Sequence, residues 1–265
     1  MPPRSHFLES INKLFNRSVL VLILSCAFVS APLRAQTIGG QDVVSSEKPE
    51  LGSEKPGSPN SISSFAFDFL HDQKDIWTSP FHINRGDFQW LAPVGAGAVT
   101  LAIFDHRISN ALKPDTSLRT PSNAISDIGK YAPYAIPGTI WFLGAMKHDR
   151  HTAEAGRLAA EAELDSEVVM DVLKLATGRT RPNQTDNMSF PSGHTMSAFA
   201  LAAVMSREYH DNKLVVFGSY GFATAAGLAR VGGLNHFPSD VLVGAVIGEL
   251  IGRYVVNHHA QYTAQ

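Results

Sequence analysis

Six apolar stretches, separated by short polar segments, organise the chain from about residue 90 onward. They cover residues 90–104, 132–146, 168–176, 195–205, 214–228 and 241–256. None alternates apolar and polar residues over enough positions to indicate a strand, and runs of this length are typical of helices. The pattern therefore predicts an all-α fold, a bundle of about six core helices.

Glycines predict how two of these helices end and pack. Gly178 follows the helix that carries Lys174, so that helix should stop there and place Arg181 in a loop beside its carboxyl end. In the last helix, glycines recur at every fourth position, at Gly244, Gly248 and Gly252. Such a stripe lets a neighbouring backbone approach closely, which predicts packing against the helix that begins near His194.

The composition of the first 63 residues is typical of an export signal followed by a linker. A basic lead-in precedes the apolar run 19–29, and a small-residue site ends at Ala35, so residues 1–35 are predicted to be a cleaved signal peptide. An uncleaved anchor helix and a lipidated Cys26 are the alternatives. Residues 36–63, rich in Gly, Ser and Pro, are predicted to be a flexible linker, and 64–265 a helical domain.

Composition excludes one class of partner. The 265 residues are 44% hydrophobic and 17% charged, enough for one sizeable core. The formal net charge of −2 offers no basic footprint, so nucleic-acid binding is not expected.

Cationic and titratable side chains cluster between residues 174 and 240. Arg guanidinium groups match phosphate oxygens bidentately and Lys adds a compact charge, so a phosphate dianion is the expected ligand of Lys174, Arg181 and Arg230. Asp240 follows His236 by four positions, and a carboxylate can hold the proton of one ring nitrogen while the other attacks. This spacing predicts His236 as a nucleophile.

A turn precedes the fourth apolar stretch and introduces a second histidine. His194 follows Pro191, Ser192 and Gly193 and opens a predicted helix. The amides near Ser192 and Gly193 would point at an anion there, and the His194 imidazole would protonate a leaving oxygen. Elsewhere, His148 and His151 lack a third ligand nearby, so the sequence predicts no metal site.

Taken together, these clusters resemble a known signature. The chain has K-x6-R-P ending at Pro182, P-S-G-H ending at His194, and R-x5-H-x3-D ending at Asp240. Their order and spacing resemble the type 2 phosphatidic acid phosphatase superfamily, which also includes bacterial class A acid phosphatases and vanadium haloperoxidases. The resemblance covers roughly residues 160 to 256. One position departs from it, because Ala229 stands where the family usually has Ser.

The resemblance implies a metal-independent phosphatase without a cofactor, inhibited by vanadate. His236 would attack phosphorus to form a phosphohistidine, His194 would protonate the departing alcohol, and Asp240 would orient His236. Lys174, Arg181, Arg230 and the amides near Ser192 and Gly193 would hold the phosphate oxygens. Alternatives are a vanadate-dependent haloperoxidase, in which the pocket would hold vanadate, and a non-catalytic phospholipid-binding protein.

Substrate and location follow less directly from the sequence. A phosphorylated lipid and a soluble phosphomonoester present the same terminal group, so the residues above do not separate them.

The apolar stretches run to about 15 residues, below the ~20 that a spanning helix needs, and several acidic residues precede Lys174. We therefore expect an exported, periplasmic or extracytoplasmic domain that is soluble or touches a membrane surface.

Overall fold

The computed structural model describes residues 62–113, 117 and 119–259. Within these residues the chain forms α-helices and one short 3₁₀ helix (Ser79–His82), and no strand. The α-helices are α1 (Ile62–Thr78), α2 (Phe88–Leu112), α3 (Arg119–Lys147), α4 (Arg150–Thr177), α5 (Gly193–Glu208), α6 (Lys213–Gly232) and α7 (Pro238–His259). Each apolar stretch lies inside one of α2 to α7, so the predicted all-α bundle of about six core helices is confirmed.

The predicted signal peptide, including Cys26, and nearly all of the predicted linker lie outside the described residues. The first described helix begins at Ile62, two residues before the start predicted for the helical domain.

Helix α4 is much longer than its apolar stretch. It begins after Asp149, whose side chain accepts a hydrogen bond from the Thr152 amide at 3.2 Å. Its polar first half is supported from within, because Arg157 pairs with Glu154 and Glu161 one turn away on either side. It ends at Gly178, whose φ of 53° is the left-handed conformation that glycine adopts most readily, as predicted.

Helix α5 occupies the centre of the bundle and packs most extensively against α7, and also against α4 and α6. The predicted glycine stripe forms the contact with α7. A Cβ added at Gly244, Gly248 or Gly252 would lie 2.6, 2.0 or 2.5 Å from a backbone carbonyl oxygen of α5 or of Ser192, the residue before it. The prediction that this stripe packs α7 against α5 is confirmed. The contact includes Ser192 of the P-S-G-H motif.

Large apolar side chains remain exposed on α2, α3 and α6. Examples are Ile103 (72% exposed), Trp141 (52%) and Phe217 (73%). Among the described residues, α2 and α6 are long and apolar enough to cross a membrane. Both helices exceed the apolar runs of about 15 residues on which the expectation of a soluble or peripheral domain rested.

Candidate active site

The predicted phosphate-binding residues lie at three neighbouring helix ends. Lys174 is in the last turn of α4, His194 is in the first turn of α5, and Arg230 is in the last turn of α6. Two backbone hydrogen bonds join the loops between these ends: the Asn183 amide donates to the Leu234 carbonyl at 3.1 Å, and the Ser192 amide donates to the Asp240 carbonyl at 3.0 Å. The fold therefore gathers three motifs that are separated in the sequence.

His236 is buried, with 1% of its surface exposed. Its Nδ1 lies 2.5 Å from the Ser189 carbonyl oxygen, and its Nε2 lies 3.2 Å from Nη1 of Arg181. A carbonyl only accepts and a guanidinium only donates, so Nδ1 carries the proton and Nε2 presents its lone pair. This is the tautomer that attack from Nε2 requires.

Asp240 supports His236 less directly than the sequence predicts. Its Oδ2 is 3.9 Å from Nδ1 of His236, beyond hydrogen-bond distance. The same oxygen accepts from the Ser189 hydroxyl at 2.5 Å and from the Phe237 amide at 2.9 Å. The carboxylate therefore holds the two segments that flank His236, and the Ser189 carbonyl accepts the ring proton.

An ion-pair chain beneath the site was not predicted from the sequence. Arg179 donates to Oδ1 of Asp240 at 2.5 Å and to Oδ2 of Asp105 at 2.7 Å, and its guanidinium lies 4.4 Å from the centre of the Phe237 ring. Asp105 and Asp240 are both fully buried. Asp105 also accepts hydrogen bonds from the amide and the hydroxyl of Ser239. The sequence does contain one indication for Asp105. It is a carboxylate within an apolar helix, and a buried carboxylate requires a partner.

The cations of the pocket shift its titratable groups. Burial, reinforced by the charges of Arg230, Lys174 and Arg181, lowers the pKa of His194 to about 3. Burial also lowers the pKa of His236 to about 4, against the opposing effect of Asp240. Both imidazoles are consequently neutral at pH 7 before an anion binds.

Lys174 approaches the start of α5 closely. A Cβ on Gly193 would lie 3.2 Å from Nζ of Lys174 and 2.1 Å from Sδ of Met170, so glycine is required for this approach. Burial and the charge of Arg181 lower the pKa of Lys174, a direction expected where cations converge without a bound anion.

Ser192, a predicted phosphate-binding residue, has hydrogen-bond partners within the protein. Its amide donates to the Asp240 carbonyl, and its hydroxyl pairs with that of Thr195 at 2.9 Å. Because α5 begins at Gly193, the amides of its first turn begin there.

At the third motif, the Arg230 carbonyl accepts from the His236 amide at 3.1 Å, which holds these two residues together. Ala229, in place of the usual Ser, is buried in α6.

Comparison with known proteins finds a family match in the second half of the chain. Residues 158–263 match the sequence profile of the PAP2 superfamily, and the matched region contains the predicted site residues from Lys174 to Asp240. This stretch, less than half of the chain, is similar to the PAP2 superfamily. The match confirms the resemblance drawn from the three motifs, and its limits agree with the expected extent.

Relatives of the PAP2 domain include named lipid phosphatases. Over 80 residues the chain is 40% identical to "Lipid A 1-phosphatase" of Porphyromonas gingivalis, covering 30% of this chain and 18% of that protein. Over 176 residues it is 28% identical to "Lipid phosphate phosphatase 2" of Arabidopsis thaliana, covering 51% and 60%. The chain spans less than two thirds of the length of these curated relatives.

A solved structure shares the fold. It is the transmembrane PAP2 type phosphatidylglycerolphosphate phosphatase from Bacillus subtilis, with a TM-score of 0.51 and 25% sequence identity. The match covers 75% of this chain and 96% of that one, so the shared architecture extends beyond the three motifs.

Proposed function

We propose that this chain is a metal-independent phosphatase that removes phosphate from a lipid through a phosphohistidine intermediate. One observation carries the proposal. The lone pair of His236 Nε2 faces Arg181 in a pocket where Lys174, Arg230 and His194 also converge. An unprotonated imidazole beside several fixed cations is suited to attack on a phosphate dianion.

The reaction proceeds in two displacements. Nε2 of His236 bonds to phosphorus while the bond from phosphorus to the alcohol oxygen breaks, and His194 gives its proton to that oxygen. An oxygen of water then bonds to phosphorus while the bond from phosphorus to Nε2 of His236 breaks, His194 takes a proton from the water, and inorganic phosphate leaves. Lys174, Arg181 and Arg230 neutralise the oxygens in both steps.

Substrate binding supplies the protonation state that His194 needs. The pKa of His194 is low because burial and three cations disfavour a further positive charge. A bound phosphate dianion offsets those cations, which raises the pKa of His194 and favours its protonated form. The general acid is therefore charged when substrate is present.

A lipid substrate is supported by the outer surface of the bundle. Helices α2 and α6 are long and apolar enough to cross a bilayer, and they expose large side chains such as Ile103 and Phe217. Large apolar side chains exposed along two long helices are unusual on a water-soluble domain. The names of the relatives, among them a lipid A phosphatase and lipid phosphate phosphatases, point to the same substrate class. With α2 and α6 in the bilayer, the pocket would meet lipid head groups. The predicted signal peptide would place the pocket on the extracytoplasmic side.

Phosphate release tests this proposal. The protein is purified in detergent and supplied with phosphatidic acid in mixed micelles and with a soluble alkyl phosphate. We expect turnover that favours the lipid, inhibition by vanadate, and no loss with a chelator. His236→Ala should abolish turnover, whereas the exposed His210→Ala should not. Absence of phosphatase turnover would favour a non-catalytic lipid-binding protein, and vanadate-dependent halide oxidation would favour a haloperoxidase.

A further inference from the structure

A second cluster of titratable side chains lies away from the phosphate pocket. It consists of Asp68 and Asp72 on α1, Glu161 on α4 and His259 at the end of α7. Glu161 precedes Lys174 by thirteen residues on the same helix, which is about 20 Å at 1.5 Å per residue. The cluster therefore has no contact with the reacting groups.

The atoms of this cluster have the spacing of a loose ligand set. One ring nitrogen of His259 and one carboxylate oxygen from each of Asp68 and Glu161 lie within 4.8 Å of one another. Nε2 of His259 is 3.0 Å from Oδ2 of Asp72 and 3.8 Å from Oε1 of Glu161. Imidazole nitrogen combined with carboxylate oxygen is the donor set of Zn²⁺ and Mn²⁺ sites.

Two oxygens of the cluster are buried and have no hydrogen-bond donor: Oε1 of Glu161 and Oδ1 of Asp72. Glu161 is 0% exposed and Asp72 is 1% exposed. Arg157 occupies the other oxygen of Glu161, at 3.0 Å from Oε2, while Oε1 faces His259. Buried carboxylate oxygens nearly always have a partner, so this geometry indicates a missing positive ligand.

Charge balance points in the same direction. Asp68, Asp72 and Glu161 face one guanidinium, that of Arg157, and one imidazole. The neighbouring Asp165 adds a further carboxyl, which accepts a hydrogen bond from the neutral Gln73 at 2.8 Å. A divalent cation at this position would offset the excess of carboxylates.

We propose that His259, Glu161, Asp68 and Asp72 bind one divalent cation, Zn²⁺ or Mn²⁺, which ties α1 and α7 to α4. When the metal binds, Nε2 of His259 loses to solvent the proton that it donates to Asp72 and gives its lone pair to the metal, with a ring proton on Nδ1, and Asp72 exchanges its hydrogen bond to Nε2 for a metal bond. Four such ligands complete a tetrahedral structural site. The ion stabilises the fold and takes no part in phosphate transfer.

Metal content and thermal unfolding of the full-length, untagged protein in detergent test this proposal. After treatment with a chelator, ZnCl2 or MnCl2 is added and unbound metal is removed. Elemental analysis should find one ion per chain, and the Tm should rise by several degrees as the metal is restored. Phosphatase activity well below the Tm should not depend on the metal.

Two variants and a matched control locate the site. Glu161→Gln retains an oxygen for Arg157 and should fold, but it should bind no ion and its Tm should not respond to metal. His259→Ala should behave in the same way. His258→Ala removes the adjacent, exposed ring and should bind one ion as the wild type does. Failure of the wild type to retain an ion, or equal metal content in all three variants, would overturn the proposal.

Discussion

At the scale of single residues, the proposed mechanism requires opposite protonation states of two histidines in one pocket. His236 must present a lone pair, and the Ser189 carbonyl secures this by accepting the Nδ1 proton. His194 must carry a proton to the leaving oxygen, although its surroundings lower its pKa to about 3 before substrate binds. The bound dianion resolves this conflict because it offsets the neighbouring cations.

The role of His194 is testable with leaving groups of different basicity. His194→Ala should lower kcat by about 10²- to 10⁴-fold for an alkyl or lipid phosphate, whose alkoxide needs a proton. An aryl phosphate, whose oxygen leaves readily without one, should lose less than about tenfold. Steady-state kinetics on both substrates measures the difference. Equal losses would mean that His194 only binds the phosphate.

The ion-pair chain under His236 predicts a coupled loss of stability and activity. Arg179→Ala leaves the buried Asp105 and Asp240 without their shared cation, which should lower the free energy of unfolding by about 3 kcal/mol. It should also lower kcat more than it raises KM, because Asp240 then holds the Ser189 and Phe237 segments less firmly. Adding Asp105→Asn should restore part of the stability. Denaturant unfolding and kinetics of the single and double variants measure this, and additive effects would contradict the coupling.

The sequence predicted the side chains of the candidate site but not the groups that support them. Lys174, Arg181, His194, Arg230 and His236 follow from residue type and short spacing, and the structure brings them together. The partners of Arg179 are 61 and 74 positions away, so no local spacing encodes them. The Ser189 carbonyl is a backbone group, and residue type carries no signal for it.

At the scale of helices, the packing of α5 against α7 sets the distance between His194, at the start of α5, and His236, just before α7. Gly248→Ala would place a Cβ 2.0 Å from the Met196 carbonyl oxygen and should force the helices apart. We expect the free energy of unfolding to fall by about 2 to 3 kcal/mol, with a parallel loss of kcat as His194 moves relative to His236.

Gly221 of α6 provides the matched control, because a Cβ there meets nothing within 4 Å. Gly221→Ala should leave activity unchanged and add up to about 1 kcal/mol of stability through helix propensity. Thermal and denaturant unfolding of both variants checks the pair. Similar stability of the two would show that the close approach at Gly248 is not required.

Periodicity located the core helices but understated their lengths. Helix α4 extends eighteen residues before its apolar stretch because buried carboxylates have partners there: Glu161 pairs with Arg157 of the same helix, and Asp165 accepts from Gln73 of α1. One of these partners is a turn away and the other is on a distant helix. A pattern of apolar positions cannot anticipate burial that depends on such pairing.

At the scale of the whole molecule, exposed apolar surface predicts a bilayer location. Replacing Ile103 and Phe217 with Asn on the outward faces of α2 and α6 should weaken membrane retention, since each loses apolar area from the lipid contact. The wild-type protein should remain in the membrane after osmotic shock or high salt and require detergent. Fractionation followed by immunoblotting measures this. Release of most wild-type protein without detergent would instead support the soluble location expected from the sequence.

The covalent step is the central claim, and a rapid-quench experiment tests it most directly. The protein is mixed with substrate labelled in its phosphate group, quenched in alkaline denaturant within the first turnover, and digested at alkaline pH for peptide mapping. We expect label on the peptide that contains His236, acid-labile as a phosphohistidine is, and none in His236→Ala. Active wild-type enzyme that carries label on another residue, or full activity in His236→Ala, would contradict the mechanism.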